Sequence, residues 1–316
     1  MINIVLIGGG SGISAVLRGL KFNPDFYLCS ISTPTDDGGS TGKILKIYKD
    51  LIPLGDVRNC IASMSDDEII QKLLQYRFNR AEFKTHALGN LILLALYKIS
   101  NNNIIEFTEN VNKLFKIRGK ALTSSIKKAT LVAKLSNNKI VKGQTTINKH
   151  LKDSNLKIEY IYLEGISERD VNPLAIQAIL QADIILVGPG SLYSSIIPNF
   201  LIKPILQAYQ KSKAKKIYIS NLLNQPNECK ECLLSFYLKT LNNYGITFDY
   251  ILFNNQQIPK KLLYRYRRKD RRYDVIVNDV DSSHIIQEDL IDQNQNYIRH
   301  DGRKISTLIS NLILRR

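Results

Sequence analysis

The 316-residue chain predicts an α/β fold: a three-layer, Rossmann-like, mostly parallel sheet that carries a small antiparallel β insertion. Three observations lead there. Short Ile/Val-rich runs alternate with amphipathic segments, which is the pattern of βαβ units. Two of those runs end directly in glycine turns, at 8–12 and 188–190. Between residues 124 and 163 the apolar period changes to alternation around Ser136-Asn137-Asn138, the mark of a hairpin. No repeat and no long linker divides the chain, so one unit over 1–316 is expected, with 124–163 inserted in it.

In chain order, residues 2–7 read as a first strand and 13–20 as the helix after its glycine turn. Residues 26–32 form a second strand. Residues 69–76, 88–99 and 105–115 read as helices, and 88–99 is apolar nearly all round, which predicts burial. In the insertion, 130–135 and 139–146 should pair, with 158–162 beside them. Strands of the buried type resume at 184–187, 217–221 and 250–253. A basic segment spans 260–272, and 305–313 reads as a terminal helix.

Composition removes several classes. Lys+Arg 44 against Asp+Glu 28 leaves a net charge of +16, which invites an anionic partner. Lys, Asn and Ile are abundant throughout, however, so part of that charge is a chain-wide bias. Dense apolar runs exclude a disordered chain. The longest apolar stretch, 88–96, is far short of the roughly 20 residues that span a bilayer. The start, MINIVLIGGG, reads as a strand entering a turn and not as a leader. Four cysteines are too few for a disulfide framework in a chain this long. A cytoplasmic protein is expected.

The chemistry concentrates in loops. Gly9, Gly10, Ser11 and Gly12 follow the first strand and open a helix, whose free N–H groups and dipole favour an anion. Gly10-x-Gly12-x-x-Ala15 fits a dinucleotide fingerprint, although the usual acid at the end of strand two is displaced to Asp36 and Asp37. Asp36, Asp37, Gly38, Gly39, Ser40 and Thr41 form a polar run that fails the Walker A pattern at both ends. Two adjacent carboxylates there suit Mg²⁺ and phosphate, or ribose hydroxyls. Asp56, Arg58 and Asn59 add a carboxylate, a guanidinium and an amide; His86 and Asn90 lie one turn apart at a helix start. A histidine at that helix start is expected in a hydrogen-bonding role. Gly188, Gly190, Ser191 and Tyr193 repeat the strand–glycine–helix arrangement, and Asn221 ends another strand near the same edge. Loops at the carboxyl ends of parallel strands converge on one crevice. Cys229 and Cys232 lack a second ligand pair at zinc spacing.

Taken together, GGGSGIS at 8–14, TDDGGSTGK at 35–43, GDVRNC at 55–60, HALGN at 86–90, RGKAL at 118–122, GPGSLYSSIIPN at 188–199 and YIRHD at 297–301 closely resemble the YvcK/CofD-like family, and within it the YvcK branch of gluconeogenesis factors. The match runs in order over nearly the whole chain. The resemblance implies nucleotide at the strand carboxyl ends, often in a homodimer. It implies a UDP-sugar ligand, such as UDP-N-acetylglucosamine or UDP-glucose, and a part in maintaining cell shape on gluconeogenic carbon sources. The sister branch implies a 2-phospho-lactate transferase that uses Mg²⁺ and a guanosine diphosphate compound. By position, the residues named above line the phosphate side and the crevice, and Tyr266 and Arg299 match motif positions that clamp base or sugar. Two places depart from the family pattern. Lys43 replaces an Arg, and Asn227-Glu228-Cys229 stands where Gly-Glu-Thr is usual.

A nucleotide-sugar-binding regulator is the leading expectation. It needs a phosphate cradle and a base pocket, requires no cofactor, and leaves its regulated partner unidentified. A transferase would instead set Mg²⁺ on Asp36 or Asp37 and neutralise charge with Arg58. NAD and GDP are the alternative ligands. Nucleic acid ranks last, because no nucleic-acid module accompanies the basic segment.

Overall fold

The computed structural model describes residues 1–80, 84–152, 154–292 and 296–314. The first half builds β1 (Ile2–Gly8), α1 (Gly10–Leu20), β2 (Phe26–Ser32), α2 (Gly39–Ile47), α3 (Gly55–Met64), α4 (Glu68–Gln75), α5 (Leu88–Ile99), α6 (Ile104–Phe115) and β3 (Gly119–Thr123). An excursion follows, with β4 (Thr130–Leu135), β5 (Ile140–Lys142), α7 (Gln144–Lys152) and β6 (Ile158–Glu164). The core resumes with α8 (Pro173–Leu180) and β7 (Ile184–Val187), then a π-helical turn, Leu192–Ile196, that runs into α9 (Ile197–Phe200). Next come α10 (Lys203–Lys211), β8 (Lys215–Ile219), α11 (Leu234–Asn243) and β9 (Tyr250–Asn254). The chain closes with α12 (Lys260–Arg267), β10 (Ile285–Glu288) and α13 (Gly302–Leu314).

Seven strands form one sheet in the order β10-β9-β8-β7-β1-β2-β3, and every pairing in it is parallel. The order reverses between β1 and β7, so the loops leaving these two neighbours diverge to opposite faces and open a crevice. Side chains alternate as a strand buried on both faces requires. Ile4 and Leu6 pack into the layer of α1, α3, α5, α6 and α13, while Val5 and Ile7 face α8, α10, α11 and the excursion.

The excursion is a three-stranded antiparallel sheet, β5-β4-β6, within the predicted insertion. Its second strand is shorter than the sequence suggests. Pairing stops at Lys142, Gly143 turns at φ +89°, and Gln144 starts a helix. The Asp37 carboxylate, 108 positions upstream, accepts the Thr145 N–H at 2.9 Å and its hydroxyl at 2.6 Å. That cap outweighs the β preference of Thr145, Thr146 and Ile147. Helix α5 also departs from expectation, because its apolar surface is only partly covered and Ile99 is 69% exposed. Among the described residues no helix is long and apolar enough to cross a membrane.

Helices α1 and α13 cross backbone to backbone. A Cβ on Gly19 would lie 1.8 Å from the carbonyl carbon of Gly302, and one on Gly302 would lie 2.5 Å from the Val16 oxygen. Only glycine fits this crossing, and the crossing fixes where the segment before α13 runs. Gly19→Ala should therefore destabilise the fold by about 3 kcal/mol through overpacking, read as a drop in the denaturant midpoint. A midpoint equal to the wild type's would show that α13 can shift at no cost.

Candidate functional site

At the carboxyl edge of the sheet, over the β1/β7 switch, lies a cavity of about 490 Å³. Of the residues predicted from sequence, Gly9, Gly10, Ser11, Gly12, Gly190, Ser191, Asn221, Tyr266 and Arg299 line it. The first turn of α1 forms one wall. Gly12 is needed there because a Cβ would meet the Pro189 carbonyl oxygen at 2.2 Å, so the two glycine loops are pressed together. Asn221, just past β8, clamps the second loop from both sides. Its Oδ1 accepts the Gly190 N–H at 3.0 Å, and its Nδ2 donates to the Gly190 carbonyl at 2.8 Å. Gly188 sits behind in the turn, at φ +76°.

The roof comes from the C-terminal third. A small apolar cluster of Leu222, Ile258, Ile291 and Ile298 holds α12 and the segment before α13 over the cavity. It presents Tyr266, set edge to face against Tyr273 with ring centroids 5.4 Å apart, and Arg299 beside them. Buried His300 donates from Nε2 to the Ser220 carbonyl at 3.0 Å, and burial lowers its pKa to about 4, so it is neutral.

Three further polar lining residues were not read as site residues in the sequence, Asn227 having been named only within the departing motif 227–229. Gln144 and Asn148 enter from α7, and Asn227 from the loop after β8. Each has a buried amide oxygen with no hydrogen-bond partner, namely Gln144 Oε1, Asn148 Oδ1 and Asn227 Oδ1. Buried acceptors left unpaired are costly, so a ligand with donors suits this wall. Reading 139–146 as strand concealed the first two. A fourth, Glu228, was seen only within a departing motif. Its carboxylate accepts the Ser191 hydroxyl and the Tyr193 N–H, capping the π-helical turn. Burial pushes its pKa up to about 7.

The remaining predicted residues gather beside the cavity. Asp56 Oδ2 lies under Gly9, where a Cβ would stand 2.6 Å from it. Burial first, and the nearby Asp36 second, push the Asp56 pKa up to about 7, while the Gly10 N–H and Arg58 oppose the rise. Asp36 accepts the Gly38 N–H at 3.0 Å and is likewise raised, chiefly by burial. Thr41 and Gly55 pack on it, and Gly39 opens α2. Arg58 is buried and turns away from the cavity. It donates to Asn59 Oδ1 at 2.7 Å and to the Leu74 carbonyl at 3.4 Å, and burial lowers its pKa to about 10. Ser40 Oγ lies 3.5 Å from His86 Nδ1 and accepts the Ala87 N–H; Asn90 is buried one turn on. Lys43 donates to Thr85 Oγ1 at 2.6 Å. Tyr193 points its ring into a different cavity, on the far side of Glu228.

Mg²⁺, which the resemblance implies, fits the Asp36 and Asp56 pair. Both carboxylates are buried and Asp36 raises Asp56, so a cation between them would relieve that repulsion, with waters completing its shell. Asp37 is committed to Thr145 instead. No cluster of three or more His, Cys, Asp or Glu at metal-binding distance occurs among the described residues.

The model of the family described as 2-phospho-L-lactate transferase CofD matches residues 4–296. A Bacillus subtilis protein named gluconeogenesis factor is 35% identical over 98% of this chain and 98% of its own. A Listeria monocytogenes protein of the same name is 33% identical over 96% of this chain and 93% of its own. A crystal structure of a Bacillus halodurans protein superposes with a TM-score of 0.88 at 30% identity, covering 98% of this chain and 99% of that one.

The raised Asp56 carboxyl has a consequence for stability. The folded state holds its proton more tightly than the unfolded chain, where the value is near 3.8, so stability is full at low pH and falls as pH rises through about 7. Asp56→Asn should remove part of that decline, so that the variant's Tm gains on the wild type between pH 5 and pH 8. Parallel Tm–pH curves would contradict this account of Asp56.

Proposed function

The chain belongs to the CofD family, and from that premise we propose that it is a nucleotide-sugar-binding regulator of the gluconeogenesis-factor type. The observation that carries the reading is the cavity over the switch point, where the N-terminus of α1 faces three buried amide oxygens that lack partners. A diphosphate would lie on the N–H groups of the Gly9–Gly12 turn, as anions do at helix N-termini. Hydroxyl and amide donors of a sugar and a base would satisfy Gln144, Asn148 and Asn227. A pyrimidine ring would rest against Tyr266 and Tyr273, with Arg299 near the phosphates. The volume of about 490 Å³ suits a ligand of that size. UDP-N-acetylglucosamine or UDP-glucose is the ligand of choice, and the protein would act in the cytoplasm to maintain cell shape during growth on gluconeogenic carbon.

The lining favours binding over turnover. His300, its histidine, is neutral and holds a backbone carbonyl, and the Ser40–His86 contact lies outside the lining. A second reading, a Mg²⁺-dependent transferase of the CofD kind, is favoured by the Asp36 and Asp56 pair alone. There Asp36 and Asp56 would hold Mg²⁺, which when bound supplies charge neutralisation at phosphate. The lining residues would orient the nucleotide.

A thermal-shift panel with UDP-N-acetylglucosamine, UDP-glucose, NAD and GDP, each with and without Mg²⁺, separates the two. A ligand at 100 times its Kd adds about 2.7 kcal/mol to stability. A rise of several degrees with a UDP-sugar is expected. A rise confined to GDP with Mg²⁺ would move the reading to the transferase, and no rise with any of the four would remove both. Gln144→Ala should weaken UDP-sugar binding roughly tenfold, the loss of about one buried hydrogen bond, and leave the ligand-free Tm near the wild type's. Calorimetric titration of both proteins reads this directly.

A further inference from the structure

On the far side of Glu228 lies a second cavity of about 480 Å³, between β6, α11 and the loop 228–231. It is close in volume to the first and does not open through the glycine loops. Its walls are largely aromatic and aliphatic. Tyr160 and Ile158 come from β6, Phe236 from α11, Tyr244 from just past its end, and Tyr193 from the π-helical turn. Its charges are arranged unevenly. Lys157 is paired with Glu231 at 2.7 Å, and Glu159 with Lys134 at 2.9 Å. Lys239, exposed on α11, makes no ion pair among the described residues, and Lys230 donates to the Ser154 carbonyl and not to a carboxylate. The one acid of the inner wall, Glu228, is already held by Ser191 and the Tyr193 N–H. Three lysines and three glutamates line it, and with Glu231 and Glu159 paired the cavity offers an apolar, ring-lined interior with Lys230 and Lys239 as the cations that no carboxylate holds among the described residues. A ligand that matches both must be apolar at one end and negative at the other.

We propose that this second cavity is a binding site for an amphipathic organic anion, a molecule with an aromatic or aliphatic body and one carboxylate, sulfonate or phosphate group. The body would pack against Tyr160, Phe236 and Tyr244, and the charged group would meet Lys239 and Lys230 at the rim. The site is separate from the nucleotide cavity, and the inference rests on the geometry of the second cavity alone. Its back wall, Glu228 and Tyr193, is also the cap and first turn of the segment that carries Ser191 into the first cavity.

The probe is 1-anilinonaphthalene-8-sulfonate, titrated by fluorescence into the full-length chain without nucleotide. One saturable site is expected. Lys239→Glu reverses a rim charge, and Asn243→Trp places an indole at the mouth; each should weaken binding at least tenfold. Ile99→Glu, on the exposed face of α5, should leave the affinity unchanged and controls for adsorption to surface apolar groups. The uncharged analogue N-phenyl-1-naphthylamine should bind at least tenfold more weakly. Absence of a saturable signal would overturn the proposal, as would affinities within twofold of wild type in both α11 variants. Equal binding of the uncharged analogue would overturn the anionic character of the ligand. Because neither α11 side chain is buried, unchanged Tm values will show that the variants fold.

Discussion

The site depends on how closely helix α1 is approached by its neighbours. At its N-terminal end, Gly12 touches the Pro189 carbonyl, so the two loops that diverge from β1 and β7 form a common wall. At its C-terminal end, Gly19 and Gly302 let α13 cross without side chains between the backbones. The first contact positions the free N–H groups of the first turn of α1, and the second sets the path of residues 298–300, which roof the cavity. Both contacts are steric and local, and the parallel sheet beneath supplies the rigidity that makes them effective. A helix even one side chain further out on either flank would leave the crevice without a wall or a roof.

Electrostatics adds a second layer. Each of the two helical starts at the crevice meets a carboxylate of the chain itself. Asp56 takes the Gly10 N–H, and Glu228 takes the Tyr193 N–H. Burial pushes both up to about 7. A diphosphate entering this region therefore competes with, or is bridged to, groups near the balance point between charged and neutral forms. Under the proposed reading, such a crevice would answer to pH and to cations in a way that a cradle of glycines alone would not.

Much of this was legible in the sequence, and the limits have physical causes. The continuous apolar run of β7 and the turns after β1 and β7 are local signals, so strand, loop and crevice could all be read. Nine predicted residues indeed share one cavity. The first turns of α2 and α3 were read as ligand loop, because Gly39-Ser40-Thr41 and Gly55-Asp56 have turn chemistry and gain helical form only where they pack. Helix α7 was hidden more thoroughly. Its cap is Asp37, and no window of local sequence contains both partners. Gln144 and Asn148 were lost with it. Glu228 carried a faint signal, since it keeps the acidic position of a motif whose flanking residues differ. Arg58 and Tyr193 show the converse: motif position named them, yet their side chains lead away from the first cavity. Sequence spacing finds which loop reaches a site more readily than which way a side chain turns within it.

The tie between Asp37 and Thr145 joins two walls that come from different parts of the chain. The glycine wall belongs to the sheet core, whereas Gln144 and Asn148 of the amide wall belong to an appendage inserted between β3 and α8, and Asn227 to the loop after β8. Thr145 donates to Asp37, Ile161 to the Tyr244 hydroxyl and Lys157 to Glu231, and these contacts dock that appendage onto the core. The glycine wall and α7 are thus carried on different pieces of chain. Under the proposed reading, changes in α7 would alter which molecule is accepted without disturbing the glycine turn, so the excursion would act as an exchangeable selector on a separate grip.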